Sequence, residues 1–119
     1  MNNPNIVCVG YEPHLVQTRS MILRRAGYAI HEASGLAVAL SKIESDVIDG
    51  LLVCNSVPRN EQEWFIARAR KVRRLLPIVC VKNHPYEQCV SGCIGVDNEP
   101  ESLLNVFSRT FGNREPIAS

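Results

Sequence analysis

The run "NIVCVG" (5–10), together with "DGLLVC" (49–54) and "PIVCVK" (77–82), most constrains what this chain can fold into. Each is a short, nearly continuous apolar stretch of strand length. Such runs suit strands buried on both faces, as parallel sheets require. Between them lie segments of helical length and pattern. "PHLVQTRSMILRRAG" (13–27) opens with proline and closes on Gly27, the expected asymmetry of helix ends. Its residues Leu15, Thr18, Ile22 and Ala26 fall on one stripe. "SGLAVALSKIES" (34–45) turns Leu36, Ala39, Leu40 and Ile43 inward. "NEQEWFIARARKVRRLL" (60–76) carries acids in its first turn and bases in its last, which complements the helix dipole. "PESLLNVFSRTF" (100–111) presents Leu103, Leu104, Phe107 and Phe111 inward.

Two further strands complete the set. "YAIHEA" (28–33) is less apolar and belongs at a sheet edge, and "CIGV" (93–96) is short. The segment 83–92, "NHPYEQCVSG", is polar and broken by Pro85. It is expected to form a loop or at most a single turn. The tail 113–119 is polar. Strands alternating with helices imply a parallel sheet with helices on both faces, whose ligands bind beyond the carboxyl ends of the strands. Those ends are Gly10–Pro13, Cys54–Pro58, Lys82–Asn83 and Asp97–Pro100.

The 119 residues suit one domain, expected over 1–112, and a net charge of +1 points to neither nucleic acid nor membrane. No stretch approaches the roughly 20 apolar residues that span a bilayer. The first residues lack the basic and apolar regions of a signal peptide, so a cytoplasmic location is expected. Five cysteines are present, Cys8, Cys54, Cys80, Cys89 and Cys93, with no C-x-x-C spacing. An odd count, with three inside apolar runs, argues against a disulfide framework or a regular zinc site. They read as small buried hydrophobes in a reducing compartment.

In order along the chain, "VGYEPHL", "LRRAGYAIHEASGLAVAL", "DGLLVCNSVP", "LPIVCVK" and "VDNEP" resemble the receiver domain of two-component response regulators. The corresponding family patterns are V-D-D-E-P-x-L, L-x-x-x-G-Y-x-V-x-x-A-x-x-G-x-x-A-L, D-L-x-L-L-D-x-x-M-P, P-I-I-x-L-T and the end of Y-x-x-K-P. The resemblance covers residues 5–111. It implies a doubly wound α/β fold, a five-stranded parallel sheet in the flavodoxin-like order 2-1-3-4-5. The stretch from Lys82 to Glu99 is several residues shorter than the family's, which implies a shortened fourth helix.

A receiver's strand-end aspartate attacks a phosphoryl group, and two acids hold the Mg²⁺ that neutralises the transferred charge. The resemblance places Gly10 and Tyr11 where those acids stand and Cys54 where the acceptor stands. Lys82 takes the place of a Thr or Ser, and Glu99 that of a Lys. Val96 falls where a switch aromatic is common. Glu12, Pro58 and Pro100 match but shape turns. Gly10, Tyr11, Cys54, Lys82 and Glu99 therefore define a vestigial phosphorylation pocket, with no catalytic residue, metal or cofactor expected.

The implied function is a bacterial two-component (phosphorelay) signalling domain. It would act through a protein partner, a homodimer included, without phosphorylation. The alternative is a redox or small-ligand sensor using Cys54, which needs a cation to acidify the thiol; Lys82 is the candidate. A shifted acceptor fails, because Asp49 opens its strand at the far end. Lys82 and Glu99 are expected to pair, and Tyr11 to cover Cys54. Arg68, Arg70, Lys71, Arg73 and Arg74 read as a solvated helix face or an anion patch, and Trp64, if exposed, favours a protein interface. His14, His31 and His84 share no spacing and receive no role.

Overall fold

The computed structural model describes residues 3–45, 47–84 and 86–112. The polar tail expected at 113–119 lies outside them. Among the described residues five strands form, β1 (Asn5–Val9), β2 (Ala29–Ala33), β3 (Gly50–Val53), β4 (Ile78–Val81) and β5 (Ile94–Val96). Among the same residues four helices accompany them, α1 (Pro13–Arg25), α2 (Leu36–Ser45), α3 (Arg59–Val72) and α4 (Pro100–Phe111). All strand pairs are parallel, and the sheet order is β2-β1-β3-β4-β5, as expected. The less apolar strand β2 is an edge strand.

Residue alternation along the strands divides the core. Val7, Val9, Leu51, Val53, Ile78 and Cys80 face α2 and α3, whose Ala39, Ile43, Phe65 and Ile66 pack against them. Ile6, Cys8, Leu52, Cys54, Val79 and Val81 face the other way, toward Val16 and Leu23 of α1 and Leu103 and Phe107 of α4. This alternation fixes where each cysteine can act. Cys8 and Cys54 share one face, and Cys80 is on the other.

Three boundaries or faces differ from the sequence expectation. Helix α3 ends at Val72 and not at residue 76, and Arg73 is extended (φ −133°, ψ 98°). The chain must leave the helix there to bring Leu76 into the core, where it is 5% exposed, while Leu75 stands out at 89%. Helix α1 buries Val16, Arg19, Ser20 and Leu23, not the stripe of Leu15, Thr18, Ile22 and Ala26. The polar pair Arg19 and Ser20 disguises the inward face. Between β4 and β5 the described residues form turns and loop with no helix, so the shortening of the fourth helix is complete.

Candidate functional site

The carboxyl end of β3 carries Cys54. Its N–H donates to the Val9 carbonyl (2.9 Å), and its own carbonyl accepts from Val57 N–H (3.2 Å), closing a turn. Strand alternation points the thiol toward α1, where its sulfur lies 3.8 Å from that of Cys8. Cys54 has no exposed surface. Gly10, at the end of β1, allows this closure. A Cβ added to Gly10 would sit 2.9 Å from Cys54 Cβ, 3.0 Å from Val16 Cγ2 and 3.1 Å from Ser56 Oγ. The resemblance puts an acid at this position, where any side chain would force Cys54, Val16 or Ser56 to shift.

The cation beside Cys54 is Arg19, not the expected Lys82. Arg19 is 7% exposed and donates to Asn55 Oδ1 (3.2 Å). Asn55 in turn donates to Asn83 Oδ1 (3.3 Å), tying the ends of β3 and β4 together. The hydrogen bond from Cys8 lowers the Cys54 thiol to about 7, and the Arg19 guanidinium adds to this against the opposing effect of burial. Cys8 moves the other way, its pKa raised by the same contact and by burial.

Tyr11 reaches sideways. Its hydroxyl donates to Glu61 Oε1 on α3, which raises the phenol's pKa, and its ring is 42% exposed. Its N–H donates to Ser56 Oγ (2.9 Å), which also accepts from Glu12 N–H (3.3 Å). The Ser56 hydroxyl thereby holds the β1–α1 loop against the end of β3. Cys54 is packed by Cys8, Gly10 and Arg19, with the Tyr11 hydroxyl committed to Glu61.

Lys82 lies along Gly95, its Cδ 3.1 Å from where a Cβ would stand. Its charge bears on Asp97, whose carboxyl is lowered first by the Glu99 N–H, then by Ser102, and then by Lys82. Glu99 is exposed, and its N–H donates to Asp97 Oδ1 (2.9 Å). Among the described residues the ion pairs are Arg24–Glu32 and Arg59–Glu63, and none joins Lys82 to Glu99. Asp97, two residues before Glu99, is the acid on which the Lys82 charge bears. Gly10, Tyr11 and Cys54 are therefore brought together, while Lys82 lies along Gly95 of β5 and Glu99 is exposed at the start of α4.

The sequence reading missed Arg19, Asn55, Ser56 and the Cys8 contact. The available signal was the seven-residue spacing of Val16 and Leu23, which places Arg19 on the same face of α1. Asp49 lies at the opposite end of β3, where its carboxylate accepts from Asn5 N–H (2.7 Å). His31 meets Asn5 Oδ1 (3.2 Å) at that same far end, and His14 and His84 are exposed. Among the described residues no group of three His, Cys, Asp or Glu side chains is arranged to hold a metal ion.

Replacing Arg19 with Met should return the Cys54 thiol upward from about 7. Ultraviolet thiolate titration in a Cys93→Ser background would measure this. Stability should fall by about 1.5–3 kcal/mol, the range for a hydrogen bond to a charged group. Cys54 is held below its ordinary value of 9.0, so its thiolate contributes stability above that value and loses it as pH falls through about 7. The advantage of the parent over Arg19→Met should therefore shrink across that window as the solution is acidified.

A doubly wound five-stranded sheet in the order 2-1-3-4-5, with its site at the strand ends, defines the receiver-type fold. Solved structures agree. The chain is similar to the receiver domain protein of Methanospirillum hungatei (19% identity, 92% of this chain and 94% of that chain, TM-score 0.77). It is similar to the chemotaxis protein CheY4 of Vibrio cholerae (21% identity, 91% and 98%, TM-score 0.78). It also resembles the response regulator TrrA of Thermotoga maritima, solved in complex with Mg(2+)-BeF (17% identity, 89% and 97%, TM-score 0.75). At these identities the likeness establishes the fold. No protein-family model and no curated protein matches the chain.

Proposed function

We propose that this chain is a receiver-type signalling domain of a bacterial two-component pathway, cytoplasmic, that acts by protein contact without phosphorylation. The observation that supports this most is the closed position at the end of β3. Cys54 has no exposed surface, and Cys54, Val16 and Ser56 crowd the place where a side chain at position 10 would have to stand. A phosphoryl donor needs an accessible nucleophile, and Mg²⁺ needs several oxygen ligands in an octahedral shell. Here Asn55 Oδ1 accepts from Arg19, and a guanidinium holds the ground a cation would need. The donor set does not fit Mg²⁺.

Contact with a protein partner, a second copy included, is supported by the outward face of α3. Trp64 is 49% exposed there, and the Arg68 guanidinium lies 5.2 Å from its ring centroid. Exposed Trp beside Arg is a composition favoured at interface centres. Among the described residues no helix is long and apolar enough to cross a membrane.

Incubation with acetyl phosphate and Mg²⁺ should leave the intact mass unchanged. Gain of one phosphate, lost in Cys54→Ala, would overturn the reading. A second reading, thiol sensing at Cys54, is favoured by the acidified sulfur and opposed by its burial. Iodoacetamide should label Cys54 far more slowly in the native protein than in urea. Equal rates in the two states would favour sensing.

A further inference from the structure

The sheet face opposite Cys54 holds a second group of thiols. Cys80 in β4 is 3% exposed and pairs in register with Gly95 of β5. Cys93 lies two residues before Gly95, so strand alternation brings its side chain to the same face as Cys80. Both pack against the α2–α3 core, Cys93 half-buried. Gly95 has no side chain, and the sulfur of Cys89 occupies the space where its Cβ would be. Three sulfurs thus converge at the β4–β5 edge.

Two arginines of α3 hold the segment down. Arg59 donates to the carbonyls of Gln88 and Cys89, and Arg70 donates to the Gly92 carbonyl (2.6 Å). The segment has no helix among its described residues, so it is free of a ladder that would resist rearrangement. The Cys93 thiol is lowered to about 7, chiefly by its hydrogen bond with Cys80 and then by Arg70. Cys80 is raised by the same bond and by burial. An acidified, partly accessible thiol on the same sheet face as a second, buried thiol is the arrangement of a peroxide-sensitive pair.

We propose that Cys93 and Cys80 form a peroxide-responsive dithiol, in which Cys93 is oxidised by a hydroperoxide and then closes a disulfide on Cys80. The Cys93 thiolate attacks one peroxide oxygen, the O–O bond breaks, and hydroxide leaves as water after protonation. Cys93 is then a sulfenic acid. The Cys80 sulfur attacks it, the S–O bond breaks, and the departing hydroxide takes the Cys80 proton as a second water. The two thiols lose two electrons and two protons, and hydrogen peroxide is reduced to two waters. The two thiols lie on one sheet face at neighbouring strands, and the disulfide forms when their sulfurs close to about 2.05 Å. The bond would staple the three-residue edge strand β5 to β4 and reshape the adjoining loop, where Tyr86 is 90% exposed. This site is independent of the reading given to the strand-end pocket.

The full chain should be treated with hydrogen peroxide, alkylated and mapped by mass spectrometry. The expected product is a Cys80–Cys93 disulfide, reversed by dithiothreitol, absent in Cys93→Ser and retained in Cys89→Ser. Its rate of formation should rise with pH through about 7. Arg70→Gln should slow it several-fold at neutral pH and move the profile upward, and circular dichroism should show each variant folded. No disulfide, a disulfide that uses Cys89, oxidation confined to Cys8 and Cys54, or unchanged oxidation in Cys93→Ser would each overturn the proposal.

Discussion

Replacing Gly10 with aspartate is expected to destabilise this protein by about 3 kcal/mol or more, and not to rebuild a metal site. Gly10 is not among the glycines with positive φ, so its backbone tolerates other residues. Space decides the outcome. The nearest obstruction to a Cβ is Cys54 Cβ at 2.9 Å, part of the neighbouring strand end and not the tip of a flexible side chain. Overpacking of this kind costs about 1–3 kcal/mol. The carboxylate would then be crowded against Val16 and Cys54 with the Ser56 hydroxyl as its nearest polar neighbour, and incomplete pairing of a buried polar group adds about 1–3 kcal/mol by mutational measures. Natural domains have only about 5–15 kcal/mol in total, so the loss should move a urea midpoint far to the left. Gly10→Ala separates the steric part and should cost about 1–3 kcal/mol by itself. Parental stability in both variants, with Mg²⁺ binding gained when Gly10→Asp is combined with Cys54→Asp, would refute the closed-pocket description.

The fold was legible because its signals are long and repeated. Three apolar runs separated by amphipathic segments specify strands buried on both faces, and the polarity of "YAIHEA" places β2 at an edge. The loss of a helix between β4 and β5 was also legible, from Pro85 and a missing length of chain. The site was less so, for physical reasons that differ by residue. Arg19 is a charged residue on a buried face, and hydrophobic periodicity counts it as solvent-facing. That rotated the expected stripe on α1 away from Val16 and Leu23. Lys82 and Glu99 are long or exposed side chains at loop ends, whose direction no residue period sets. Direction along a strand, unlike direction in a loop, follows the two-residue period. The contact of Cys8 with Cys54, and the shared face of Cys80 and Cys93, were open to that reasoning once strand neighbours were known.

Phe107 anchors helix α4 to the sheet. Helix α4 follows a three-residue edge strand whose Ile94 is 41% exposed, so β5 offers it little support. The helix is held by aromatic packing on the α1 side of the sheet. Phe107 has no exposed surface. Its ring meets Tyr28 edge-on at 5.4 Å and Phe111 at 5.2 Å, and it shares a core cluster with Ile6, Leu23, Leu52 and Val79. Phe107→Ala removes the central member and leaves a cavity between the helix and three strands. Substitutions of this type cost about 3–5 kcal/mol. The loss should appear as a lower denaturant midpoint with unchanged slope, because α4 and the sheet unfold together. In a double-mutant cycle, Tyr28→Leu with Phe107→Ala should recover about 0.5–1.5 kcal/mol of coupling, the part owed to ring geometry beyond area. A loss below about 1 kcal/mol, the range of ordinary substitutions, would mean that α4 is not anchored through this ring. The thiol edge at β5 and the aromatic anchor of α4 lie on opposite faces of the sheet. Oxidation at Cys93 should therefore leave the effect of Phe107→Ala almost unchanged, since distant sites without shared partners are additive within about 0.3–0.5 kcal/mol.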